Sequence, residues 1–124
     1  MMTLEAALLW LALNSYFEAR SEDFSSQVAV ANVVLNRVAS SKYPNTVEEV
    51  VKQYKQFSWY WDGKSDKPKD KEAWKIAVQA ASVALNGYNN VGDAMWYYNP
   101  QLANPYWADH KEVVVVLENH VFLK

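Results

Sequence analysis

Asn14-Ser15-Tyr16-Phe17-Glu18-Ala19-Arg20-Ser21-Glu22 closes the first apolar run of the chain and sets a carboxylate at its end. Counting back from Glu18 at helical spacing meets Ser15, Leu11, Leu8 and Leu4, all on one side of a helix. That stripe is expected to face the core, with Glu18 at its margin. A carboxyl group held partly out of water keeps its proton to higher pH, because desolvation penalises the charged form. A glutamic acid still protonated near neutrality is suited to general-acid chemistry. The plainer alternative is that the helix frays here and Glu18 points into solvent.

The length of 124 residues fits one domain, 1–124, able to bury roughly 60–70% of its unfolded surface without staples. The chain has no cysteine, which removes disulfides, thiolate catalysis and zinc–thiolate sites. A net charge of -2 argues against a general nucleic-acid binder, which needs a basic face. Six Trp and eight Tyr are ordinary core material, and they also suit a cleft that stacks on sugar rings. Ala6 to Leu13 is apolar, but no basic residue precedes it, Glu5 stands just before it, and it is too short to span a bilayer. It reads as part of the first helix of the mature domain.

Thr3 caps a helix expected to run to about Ala19 or Arg20. The polar segment 21–25 redirects the chain and caps a second helix from about Ser26 to Ala39. Val28 to Leu35 within it is apolar nearly all round, as a central helix would be, although a Val-rich run also competes as a parallel strand. Asn32 and Asn36 lie one helical turn apart with Arg37 beside them; they either tie down neighbouring loops or line a cleft. Thr46-Val47-Glu48-Glu49 has the form of a capping box, opening a short helix to about Tyr54. Lys55 to Trp61 carries rings on both sides of its axis and has little reason to be one-sided. Residues 62–70 are expected to form an exposed loop whose alternating charges are solvated. Asp70 caps a helix to about Asn86, with Ala73, Ile76, Ala77, Ala80, Val83 and Ala84 on its apolar face and Gly87 closing it in a left-handed cap. Short strands follow at Met95–Tyr98, Val113–Leu117 and His120–Leu123, the last two joined through Glu118-Asn119, with 101–109 irregular. The expected class is α+β, mainly helical, with about four helices and a small C-terminal antiparallel sheet.

His110 and His120 do not form a His-x-x-x-His pair, there is no nucleophile elbow, and three glycines cannot supply a phosphate loop. No metal or other cofactor is called for. Carboxylates, aromatics and amides remain, and these are the tools of glycoside cleavage.

Specific motifs go further than composition. The chain resembles the catalytic domain of the bacterial spore cortex-lytic, cell-wall hydrolase family, which also has phage-encoded members. The resemblance is carried by Tyr16 to Glu22, Gln27 to Val38, Tyr43 to Val47, Gln56 to Trp59, Ala94 to Asn99 and Asn119 to Phe122, in family order and over almost the whole chain. It implies a lysozyme- or transglycosylase-like fold and a peptidoglycan-cleaving activity with Glu18 as the catalytic acid. The chain departs from the family pattern at Ser21 and at Glu118, where glycine is usual, and at its end, Phe122-Leu123-Lys124. The acid is untouched by these changes; the loops around it are not.

On this reading Glu18 protonates the glycosidic oxygen between N-acetylmuramic acid and N-acetylglucosamine. Glu22 is a possible second carboxylate or a structural group paired with Arg20 or Arg37. Ser58, Trp59, Tyr97, Asn99 and His120 are the candidates for the cleft, each also readable as core. Tyr98 should face away from Tyr97. Arg20, Glu22, Asn36 and Arg37 are expected to support the site. A lone acid favours a lytic transglycosylase, with a hydrolytic muramidase, or a sugar-binding or virion module without turnover, as the alternatives. The expected partner is the peptidoglycan glycan strand, met by a monomer without membrane insertion.

Overall fold

The computed structural model describes residues 3–53, 58–65 and 67–124. Among them the chain forms helices α1 (Leu4–Ala19), α2 (Phe24–Val38), α3 (Val47–Lys52), α4 (Ser58–Trp61) and α5 (Lys71–Leu85). Strand β1 (Trp96–Tyr98), a 3-10 helix (Tyr106–His110) and strands β2 (Val113–Leu117) and β3 (His120–Leu123) follow.

Helix starts are set by local chemistry. Thr3 Oγ1 accepts from Ala6 N–H at 3.1 Å, Asp23 Oδ1 from Ser26 N–H at 2.9 Å and Asp70 Oδ1 from Ala73 N–H at 3.0 Å. Thr46 Oγ1 accepts from Glu49 N–H at 3.2 Å and lies 3.0 Å from Glu49 Oε1. The reciprocal bond therefore runs from hydroxyl to carboxylate, rather than from the Thr46 N–H as in a full capping box. Gly87, at φ 104°, turns the chain out of α5 with its N–H bonded to Ala84 O at 3.0 Å.

Helix α2 is buried on nearly every side because two cores meet on it. Ala31 and Val34 join Leu11, Ala12, Val47, Val50, Val51, Trp59, Ala81 and Ala84 in a helical core. Ala29 and Val33 join Val91, Ala94 and Phe122 under the sheet. Helix α5 packs on α1 and α2 through Ala77, Ala80, Ala81 and Ala84, whose small side chains let the helices approach.

The sheet is antiparallel in the order β1-β3-β2. Tyr97 pairs with Phe122 and Val115 pairs with Phe122 from the other side, with an irregularity between Val113 and Val115. All four residues of the central strand β3 are buried. Glu118 turns the β2–β3 hairpin at φ 50°, a left-handed conformation that costs a side-chain-bearing residue about 1–2 kcal/mol. Its Oε2 accepts the Asp23 N–H at 2.7 Å, tying the hairpin tip to the start of α2.

Four expectations are corrected. Leu4 is 72% exposed, because the stripe on α1 meets a neighbour only from its second turn onward. Ile76 is exposed, and the buried face of α5 is made by Ala77, Ala80, Ala81 and Ala84. The 55–61 run forms a short helix over its last four residues, which makes five helices rather than four; Tyr54 to Phe57 lie outside the described residues. Part of 101–109, expected irregular, is the 3-10 helix, against whose Trp107 the Tyr98 ring packs edge-on at 6.0 Å.

Candidate active site

The last two turns of α1 are held from four directions. The Asn14 Oδ1 accepts from Trp59 Nε1 at 2.7 Å, and Ser15 Oγ donates to Gln27 O at 3.0 Å. The Tyr16 hydroxyl accepts from Asp70 N–H at 3.0 Å and from Arg20 at 2.7 Å. Glu18 Oε1 accepts a short hydrogen bond from the Tyr97 hydroxyl. Successive side chains of one helix end thus reach α4, α2, α5 and β1 in turn.

Burial raises the Glu18 carboxyl above its ordinary value of 4.5; the Tyr97 hydrogen bond and the charge of Arg37 oppose the shift without cancelling it. Tyr97 is pushed well above the ordinary tyrosine value, by burial first and then by the Glu18 charge, so it remains a donor. Among the described residues no hydrogen bond reaches Glu18 Oε2. Oε1 is therefore the oxygen held by the sheet.

Tyr97 is positioned by the Asn36-Arg37 pair of α2. Asn36 Nδ2 donates to Gly92 O and Ala94 O, both at 2.9 Å, and Arg37 Nε donates to Met95 O at 2.8 Å. Asn32 Nδ2 reaches Tyr88 O at 2.9 Å. These amides tie down the 88–95 segment that leads into β1, which is the loop-anchoring reading of the two asparagines. Burial lowers the Arg37 pKa from its ordinary value, although the nearby Tyr43, Tyr97 and Glu18 raise it.

On the other side of Tyr97 stands His120, ring centroids 5.6 Å apart. Its Nδ1 is 3.1 Å from Glu22 Oε1, and Asn119 Nδ2 donates to Glu22 Oε2 at 3.1 Å. The expected arginine partners of Glu22 are thus replaced by Asn119 and His120. The reason is positional: α1 ends at Ala19, so Glu22 lies past the helix and turns toward the hairpin.

The remaining candidates fall differently. Trp59 is only 6% exposed, stacked on Phe17 at 4.9 Å and 19°. Its ring packs beneath the end of α1, with its Nε1 bonded to Asn14. On the same short helix Trp61 is 48% exposed. Asn99 Oδ1 accepts from Gln101 N–H at 2.9 Å, stapling the turn after β1. The side chain of Ser58 lies outside the described residues. Arg20 is exposed and bound to Tyr16. Asn14, Phe17 and Asn119 escaped the sequence reading. Asn14 had a signal, being an amide one turn before Glu18 on the same face.

Residues 21–123 match the family model described as Cell Wall Hydrolase. Spore cortex-lytic enzymes of Bacillus cereus and Oceanobacillus iheyensis are 35% and 36% identical over 109 and 110 residues, 88% of this chain in each case. The chain spans 40% and 38% of the length of those two relatives. The catalytic domain of the germination-specific lytic transglycosylase SleB from Bacillus anthracis superposes with a TM-score of 0.86 at 32% identity, covering 99% of this chain and 97% of that one. The catalytic domain of the Bacillus cereus SleB protein gives 0.83 at 33%, covering 95% and 89%. The fold, the match over most of the chain and the identity to these relatives together place the protein in the cell wall hydrolase family.

Proposed function

We propose that residues 1–124 act as one catalytic domain that cleaves peptidoglycan glycan strands between N-acetylmuramic acid and N-acetylglucosamine, as a lytic transglycosylase with Glu18 as acid and then base. The observation that carries this reading is the Glu18 carboxyl raised by burial and held at one oxygen by Tyr97. Protonated Glu18 gives its proton from Oε2 to the glycosidic oxygen as the bond to the muramyl C1 breaks. Positive charge develops at C1 and the ring oxygen. The resulting Glu18 carboxylate keeps the Tyr97 hydrogen bond, which stabilises it as it forms. It then takes the proton of the muramyl 6-hydroxyl, whose oxygen attacks C1. The product is a 1,6-anhydromuramyl end, and Glu18 is again protonated with no water consumed.

The hydrolytic alternative needs a second carboxylate to activate water or stabilise the cation. Glu22 is the acid nearest in sequence, and both of its oxygens are engaged by Asn119 and His120. That engagement favours the intramolecular attack. The SleB catalytic domain, described as a lytic transglycosylase, points the same way.

The test is digestion of purified peptidoglycan with identification of the soluble fragments by mass spectrometry. Anhydromuramyl ends are expected. Reducing muramyl ends would establish the muramidase, and binding without fragments a module without turnover.

A further inference from the structure

Across the end of α1 from Glu18 lies a pocket of about 230 Å³. It is lined by Tyr16, Phe17 and Arg20 of the helix and by Lys64, Lys67 and Lys69 of the 62–70 loop. Phe17 shares the last turn of α1 with Glu18 and Arg20 is the residue that caps it, so the pocket lies about one helix diameter, roughly 10 Å, from the acid.

Four cations converge here in a chain whose net charge is -2. Among the described residues none of the four is ion-paired to a carboxylate. The two described acids of the loop are spent on backbone: Asp62 Oδ1 accepts from Lys64 N–H at 2.9 Å and Asp70 Oδ1 from Ala73 N–H at 3.0 Å. Arg20 is oriented in advance, bonded to the Tyr16 hydroxyl at 2.7 Å with its guanidinium 5.0 Å from that ring. One bond to Tyr16 leaves further N–H donors of its fork available to a carboxylate. The Tyr16 and Phe17 rings supply an apolar wall beside them, which strengthens attraction of an anion.

The sugar backbone of a peptidoglycan strand is neutral. Its carboxylates belong to the peptide stem on muramic acid, and about three residues of extended peptide span 10 Å. We propose that the Arg20–Lys64–Lys67–Lys69 pocket holds a carboxylate of the peptide stem, so that the enzyme grips peptide-bearing glycan on the flank opposite the sheet. The inference rests on the glycan-cleaving reading above. It changes the meaning of the charged loop, which is a recognition element in place of a merely solvated surface.

The test compares the unaltered protein with the triple variant K64Q/K67Q/K69Q on two substrates: peptide-bearing glycan, and the same glycan with its stem carboxyls capped as neutral amides. Removal of three partly screened contacts should raise KM for the peptide-bearing strand by roughly tenfold with kcat unchanged. Both parameters should stay unaltered on the capped strand, and added salt should erase the difference. Equal KM values for the two proteins on peptide-bearing glycan overturn the pocket and leave the cleavage reading standing. If neither substrate is cut, the cleavage reading falls, and titration calorimetry decides the pocket alone. Tighter binding of the strand with free stem carboxyls, lost in the triple variant, supports it. Equal binding of both strands, or lysine-dependent binding of a polyphosphate with no preference for the stem, overturns it.

Discussion

Glu22 and His120 meet at 3.1 Å between the turn that follows α1 and the central strand of the sheet, each side chain 9% exposed. With Asn119 on the other carboxylate oxygen, Glu22 clasps the β2–β3 hairpin to the helix end that carries Glu18. The Tyr97 ring packs against His120 and Phe122, so the clasp also fixes the wall from which Tyr97 reaches the acid.

Glu22→Ala leaves the Asn119 amide and the His120 ring nitrogen without their acceptor in a site closed to most solvent. Unsatisfied buried groups cost about 1–3 kcal/mol each. Chemical denaturation should show a loss of about 2–4 kcal/mol. A loss below about 0.5 kcal/mol, the range of an ordinary surface change, would show that the clasp is not a structural tie.

Glu18→Gln removes the proton donor while keeping the shape and the acceptor for Tyr97. Turnover should fall by about a thousandfold, within the range of general-acid catalysis. The same variant reads out the burial of the acid through stability. For a carboxyl whose folded pKa is raised, the folded state holds the proton more tightly than the unfolded state. Its stabilising contribution is full below the ordinary value of 4.5 and is lost as pH rises through the raised pKa. The Gln variant has no such loss. Melting curves should therefore converge near pH 4 and separate at neutral pH, with the variant the more stable there. Parallel curves at all pH values would rule out a desolvated acid.

Tyr97→Phe keeps the ring against His120 and deletes the bond to Glu18. That bond lowers the Glu18 pKa, so its removal raises it further. Activity of a general acid is lost as pH rises through its pKa. The alkaline limb of the rate profile should move to higher pH, while the maximal rate falls about tenfold to a hundredfold for want of the donor on the developing carboxylate. A limb that moves to lower pH would contradict the assignment of Glu18 as the acid.

Trp59 and Trp61 separate support from contact. Trp59→Ala opens a cavity under Phe17 and orphans the Asn14 amide, with an expected cost of about 3–5 kcal/mol in denaturant. Trp61→Ala, at a ring 48% exposed, should cost about 1 kcal/mol or less and act on KM for glycan instead. The reverse pattern would place the sugar on Trp59.

The order of elements was legible in the residues because it depends on local chemistry. Thr3, Thr46 and Asp70 are caps that act within three residues, and Gly87 ends α5 by its own backbone freedom. The all-round apolarity of Val28 to Val34 announced a central helix before any neighbour was known. The family motifs likewise singled out Glu18. Partner choice was not legible, since it is decided by which segments tertiary packing brings together. Nothing local to Tyr97 or Glu18 says that residues 79 positions apart share a hydrogen bond, or that Glu22 turns to His120 across 98. Nor does spacing distinguish Trp59 beneath the site from Trp61 at the surface, since both belong to one aromatic run. Sequence alone marked the four longer helices, the three strands and Glu18 as the candidate acid. Packing decided the environment of that carboxyl, because the burial that raises its pKa and the Tyr97 donor that holds one oxygen are both properties of neighbours.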